Sequence, residues 1–219
     1  EDWVDKLFVY CIVSTVIGAR LGHCLFYEWD YYSVHPAEIL KIWKGGLASH
    51  GGVFAIILAL VWYSKKVTKK SVWWLFDRMI PAVAVVCFCI RFGNLMNSEI
   101  YGYPTTLPWG FEFVRSREWH QLYEGLPCHP TQIYEMLYCL VAGVTAWVMY
   151  HKYHLQNRVG LITGVSLLIF FGSRFVLEFM KNPQVVEETN MTLNIGQWLS
   201  VPLILLGGYL IYKSKTAKV

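Results

Sequence analysis

Arg91 opens a run of side chains that could handle a phosphate, Arg91-Phe-Gly-Asn94-Leu-Met-Asn97-Ser-Glu99-Ile-Tyr-Gly102, directly after the apolar stretch Val83–Ile90. On a continuing helix Arg91, Asn94 and Asn97 fall at i, i+3 and i+6 and point to nearly one side. A guanidinium grips phosphate with two parallel N–H bonds, and side-chain amides donate to phosphate oxygens or hydroxyls. Glu99 can hold the arginine or accept a hydroxyl proton. A second arginine, Arg174, lies one helical turn before Glu178 in another apolar run. Ser49-His50-Gly51-Gly52 places an imidazole at a helix start, where its neutral form can take a proton from a thiol or hydroxyl. The two glycines leave room for backbone or ligand to come close. His129-Pro130-Thr131-Gln132-Ile133-Tyr134-Glu135 opens a further apolar run. Pro130 suits a helix start there, and Gln132 and Glu135 share one face. Blander readings are an amphipathic helix end for Arg91, an ion pair for Arg174 with Glu178, and a structural or capping role for each histidine.

The elements that must position these groups are membrane helices. The chain has 219 residues, 55% hydrophobic and only 16% charged, with a mean hydropathy of +0.38. Soluble domains carry about one quarter charged residues. Six stretches reach the roughly 20 residues that cross a bilayer: Val4–Tyr27, Leu47–Tyr63, Val72–Met96, Ile133–Tyr150, Val159–Met180 and Ile195–Tyr212. None alternates as a barrel strand would. Arg20, His23, His50, Asp77, Arg78, Arg91, Arg174 and Glu178 fall within them, and a central arginine costs about 3 kcal/mol to insert, so each needs a partner or a use. Asp77 and Arg78 lie near a span end, where they read as a snorkelling interfacial pair. Cys11, Cys24, Cys87, Cys89, Cys128 and Cys139 include no C-x-x-C pair and read as packing residues, with no metal, cofactor or disulfide framework implied. A net charge of +4 is spread over short loops, which argues against nucleic acid.

Loop charge sets the expected orientation, because lysine and arginine are retained on the cytoplasmic side. Lys65, Lys66, Lys69 and Lys70 mark one loop, Lys152 and Arg158 a second, and Lys213, Lys215 and Lys218 the tail. The alternate loops are mixed or acidic, with Glu112, Glu118, Glu124, Glu187 and Glu188. Both termini are therefore expected in the cytoplasm. Residues 97–131 are too long for a bare connector and carry turn-forming Gly and Pro, so they are expected to fold as a small periplasmic head inserted in a single membrane domain over 1–219. The first apolar run is span-length with no cleavage site after it, so no signal peptide is expected. No internal repeat supports a transporter build. The expected fold is all-α, a six-span polytopic membrane bundle with an extracytoplasmic head.

The motifs together resemble the prolipoprotein diacylglyceryl transferase family of bacteria. They are Gly18-Ala-Arg20-Leu-Gly22 with Phe26-Tyr27, His50-Gly51-Gly52, Arg91 through Gly102, His129-Pro130-Thr-Gln132-Ile-Tyr134-Glu135, and Arg174 with Glu178-Phe179, in order over nearly the whole chain. The resemblance implies transfer of diacylglycerol from phosphatidylglycerol to the thiol of a prolipoprotein lipobox cysteine, forming a thioether and releasing glycerol phosphate in the bacterial inner membrane. It implies that Arg91 contacts the lipid phosphate, that Asn94, Glu99 and Gly102 shape the same site, and that His50 and Arg174 are needed for catalysis. Asn97, His129, Gln132 and Glu178 are expected to line the substrate site. The family pattern has one more N-terminal span bearing a tyrosine, and this sequence reads from the segment after it. The family also shows Tyr-Gly before the second arginine where this chain has Phe170-Phe171-Gly172-Ser173.

In the expected reaction His50 takes the thiol proton while Arg91 and Arg174 stabilise the departing phosphate. The rival from another class is a transporter or flippase escorting an anionic headgroup. It requires a polar path inward, whereas Val53–Leu60 and Val83–Ile90 are nearly free of polar groups. A purely structural subunit gives no use for several costly residues at one depth. A quinone or haem protein lacks an axial histidine pair.

Overall fold

A computed structural model describes residues 2–182 and 193–216. Glu187, Glu188 and Lys218, counted above in the loop charges, lie outside the described residues, as does the side chain of Lys215. The helices are α1 (Asp2–Phe26), α2 (Trp29–Val34), α3 (Ser49–Tyr63), α4 (Val72–Met96), α5 (Arg117–Leu122), α6 (Thr131–His151), α7 (Leu161–Leu177) and α8 (Ile195–Thr216). All but α2 and α5 are long and apolar enough to cross a membrane, α3 continuing to Thr68 and α7 to Met180. The six expected spans are thus present, with ends within a few residues of the sequence reading, and the chain is a multi-pass membrane protein. Among the described residues, β pairing is limited to isolated bridges. The chain forms two compact units, Glu1–Leu75 and Phe76–Val219.

In the first unit α1 crosses α3 at glycines. A Cβ on Gly51 would lie 2.8 Å from the Gly22 Cα and closer still to the Gly18 carbonyl oxygen. Small residues let two backbones touch where lipid gives no hydrophobic drive, so backbone takes the room left by Gly51. Arg20 is buried, and its guanidinium donates to four carbonyl oxygens of the strap after α2: Nε to Ile39 at 2.8 Å, Nη2 to Glu38 at 2.7 Å, and Nη1 to Gly45 at 2.6 Å and Gly46 at 3.1 Å. Gly45 and Gly46 have φ of 85° and 74°, left-handed values that other residues rarely adopt. That bend turns both carbonyls toward Arg20. Arg20 is therefore the strap's clamp. On the strap, Lys41 and Lys44 both pair with Glu38 and hold its carboxyl down at about 2, from an ordinary 4.5. Acidification removes what these pairs contribute only as pH falls from the ordinary glutamate range toward 2.

In the second unit α7 packs on α6 and α8. Gly164 meets Gly207 backbone across the α7–α8 contact. Asp77 overturns its sequence reading. It is fully buried, and its carboxylate accepts from Gly160 N at 2.6 Å, Thr163 N at 2.8 Å and Thr163 Oγ1 at 2.6 Å. The first N–H groups of a helix have no partner of their own and carry partial positive charge. Asp77 of α4 supplies α7 with the cap that Gly160 has no side chain to provide, while Arg78 stacks over Tyr150 at 5.7 Å. Replacing Asp77 by Ala should cost about 3 kcal/mol or more, because buried donors lose their acceptor. A thermal scan of the detergent-solubilised variant should show a lower unfolding temperature, and an unchanged one would contradict the capping role.

The segment between α4 and α6 packs on a core of Tyr101, Phe113, Trp119 and Cys128, with Leu95 and Tyr123 against it. Ser116 caps α5 by accepting from Trp119 N at 3.2 Å. Backbone bonds between Phe111 and Cys128, in both directions, tie the middle of this segment to its end.

Candidate functional site

The loop leaving α4 is held in an unusual conformation. Ser98 and Ile100 both have φ of 58°, which for a β-branched residue such as Ile100 is a costly outlier. The first turn of α6 holds it there. Thr131 Oγ1 donates to the Ile100 carbonyl at 2.8 Å, and Gln132 Nε2 donates to the Glu99 carbonyl at 2.6 Å. Gly102 is pressed against this turn and the end of α7, where a Cβ would meet the Met180 carbonyl and, at 2.9 Å each, the side chains of His129 and Thr131. Gly102 N donates to the His129 carbonyl at 2.9 Å. The His129 ring lies 3.3 Å from the Tyr134 hydroxyl.

Arg91 sits in the last turns of α4, above this loop's start. Its Nη1 donates to Asn94 Oδ1 at 3.2 Å, and Asn94 Nδ2 donates to Glu99 Oε2 at 3.2 Å. The acid that pairs with Arg91 is Glu135 of α6, with Oε2 2.8 Å from Nε, and not Glu99. The expected polar stripe also stops early: α4 ends at Met96, and Asn97 beyond it is exposed. Glu135 is fully buried and takes Lys181 Nζ on its other oxygen at 2.8 Å. Lys181 reaches Glu178 at 3.5 Å, and Glu178 lies 3.9 Å from Arg174 Nε. Arg91, Glu135, Lys181, Glu178 and Arg174 thus form one chain of alternating charge. Sequence reasoning assigned no function to Lys181 and only a helix face to Glu135. The signal was present, since Lys181 follows Glu178 at i+3 and Glu135 follows Gln132 at i+3 in the first turns of a span.

Both arginines open onto one cleft of about 270 Å³ between α4, α6 and α7. Its walls below them are apolar, including Ile80, Val83, Leu167 and Phe170. The arginine side chains are 20% and 35% exposed, against 0% for Glu135, 7% for Glu178 and 3% for Lys181. The anions are sealed in, and the guanidinium groups face outward. Among the described residues, Arg91 Nη2 and both Nη atoms of Arg174 meet no partner, so donors remain for an anion. Among the described residues, this network sets three cations against two carboxylates, one positive charge in excess. Glu99 is exposed and touches the chain only through Asn94. Tyr138 packs edge-on against Phe170 and donates its hydroxyl to Glu135 Oε1 at 3.4 Å. Three buried atoms outside the ion pairs, Gln132 Oε1, Gln156 Oε1 and Ser166 Oγ, have no hydrogen-bond partner among the described residues.

His50 belongs to the first unit. It stands exposed in the first turn of α3, beside the Gly51 crossing. Among the described residues no cluster of three or more His, Cys, Asp or Glu side chains is placed to hold a metal ion.

The family model for prolipoprotein diacylglyceryl transferase matches residues 1–213. The chain is 47% identical to the phosphatidylglycerol–prolipoprotein diacylglyceryl transferase of Porphyromonas gingivalis, with 98% of this chain and 78% of the relative covered. It is 45% identical to the protein of that name from Chloroherpeton thalassium, covering 98% and 77%. The Tolumonas auensis protein of the same name is 40% identical, over 99% of this chain and 81% of its own length. Motifs, spans and these matches agree along the whole chain, which belongs to the prolipoprotein diacylglyceryl transferase family.

Proposed function

We propose that this protein transfers the diacylglyceryl group of phosphatidylglycerol to the thiol of a prolipoprotein lipobox cysteine; its relatives' names give the lipid, the prolipoprotein and the diacylglyceryl transfer. The observation that carries the chemistry is the cleft in which Arg91 and Arg174 share one excess positive charge over apolar walls. A phosphatidylglycerol headgroup brings one negative charge and two acyl chains to such a place. The substrate sulfur attacks the glycerol carbon that bears the phosphate. A C–S bond forms, the C–O bond breaks with its electron pair on oxygen, and the thiol proton goes to His50. The phosphodiester monoanion becomes a phosphomonoester that gains a second negative charge. Two guanidinium groups therefore bind the transition state more tightly than the ground state, which is the condition for catalysis. Asn94, Asn97, Glu99, Gly102, His129, Gln132 and Glu178 are assigned to shaping the headgroup site. A free thiol has a pKa of about 8.5, so a base is needed at neutral pH.

The loop charges support an orientation with residues 97–131 forming a head on the periplasmic side of the inner membrane, and the arginine level in the outer leaflet. The transporter reading is disfavoured by the apolar floor of the cleft below both arginines. The purified protein, mixed with phosphatidylglycerol and a cysteine-containing lipobox peptide, should yield peptide heavier by one diacylglyceryl group. Peptide of unchanged mass with well-folded protein would remove the assignment.

A further inference from the structure

We propose that Lys181 is a positioning residue for the phosphate site: its ammonium, shared between Glu135 and Glu178, sets the net charge that Arg91 and Arg174 present to the lipid headgroup. This rests on the reading of the arginine cleft given above. Lys181 lies just past α7 and is buried, although a lysine there has the length to snorkel to water. Its Nζ points inward to Glu135 at 2.8 Å and Glu178 at 3.5 Å. Each of these carboxylates also faces an arginine, Arg91 at 2.8 Å and Arg174 at 3.9 Å.

The backbone of Lys181 is fixed as well. It forms an isolated bridge with Gly102, while Tyr103 N donates to the Met180 carbonyl at 3.0 Å and Asn182 Nδ2 to the Gly102 carbonyl at 3.2 Å. One residue thus ties the strained loop to both ion pairs. With Lys181 present the chain counts three cations and two anions. Without it, two carboxylates neutralise two arginines, and the attraction for a monoanionic headgroup falls. The carboxylates would also draw the guanidinium groups inward, away from the cleft, because they alone would remain to satisfy buried charge.

The test is a kinetic split in mixed micelles of phosphatidylglycerol and lipobox peptide, using the full protein. Lys181→Met should raise KM for phosphatidylglycerol about 10-fold or more, with KM for the peptide unchanged. Lys181→Arg, which keeps the charge, should return KM to within about 3-fold of wild type. Lys181→Met with Glu178→Gln restores the excess charge, two cations against one anion, and should recover part of the loss. A merely structural role predicts the double variant to be no better than the single, and that result, or an unchanged KM in Lys181→Met, overturns the proposal. Should Lys181→Met fail to fold, Lys181→Gln keeps a hydrogen-bond donor without charge and should show the same rise. A wild-type protein with no transfer at all is a different outcome, since it sinks the assigned activity; a normal wild type with an indifferent Lys181 sinks only this inference.

Discussion

Arg91→Ala should lower kcat/KM for diacylglyceryl transfer by at least about 1,000-fold, roughly 4 kcal/mol of transition-state stabilisation. The loss combines a phosphate contact with a charge that counters the growing negative charge on the leaving group. The fold should survive, because Glu135 keeps Lys181 at 2.8 Å and is not left as an orphaned charge. Arg91→Lys is the informative companion. An ammonium cannot serve Glu135, Asn94 and a phosphate with a planar fork, so it should retain charge and still lose about 100-fold. Near-normal turnover in Arg91→Ala, measured by the mass of the lipobox peptide, would take Arg91 out of the mechanism.

His50→Gln carries the second large expected effect, a fall in kcat of about 100- to 10,000-fold as general-base assistance is lost. Glutamine keeps the hydrogen-bonding groups of the side chain but cannot take the thiol proton, so KM should change far less than kcat. An undiminished kcat in the variant, read from the mass of the lipobox peptide, would place the base on another residue. The exposed position of His50 in the first turn of α3 makes a folding defect an unconvincing explanation for a large loss.

Burial depth was legible in the sequence, and partners were not. The six spans follow from run length, since bilayer thickness fixes how many residues a helix must supply. Arg91 and Arg174 stood out because an arginine inside such a run is costly, and the structure places both on one cleft. Yet the nearest acid in sequence, Glu99, is not the one that pairs with Arg91. Its true partner, Glu135, lies on another helix, and only tertiary packing brings them together. The same limit explains Asp77, which reads as a snorkelling interfacial residue in sequence but is buried against partners at the start of α7. The helical stripe through Asn97 fails for a local reason: α4 stops at Met96, and the chain turns into left-handed backbone at Ser98. Arg20 and the glycines Gly18, Gly22 and Gly51 were recognised as a motif, but their geometry shows close helix crossing and a clamped strap.

The cap that Asp77 provides also has a bearing on biogenesis. Its first acceptor bond is made to Gly160, 83 positions later in the chain. At translation rates of about 5–20 residues per second, that separation means a wait of roughly 4–17 s. Throughout that interval the growing chain carries a carboxylate whose partners have not yet been synthesised. Newly made α4 should therefore linger beside the insertion machinery, and crosslinking from position 77 to that machinery should end only when the chain has grown past α7.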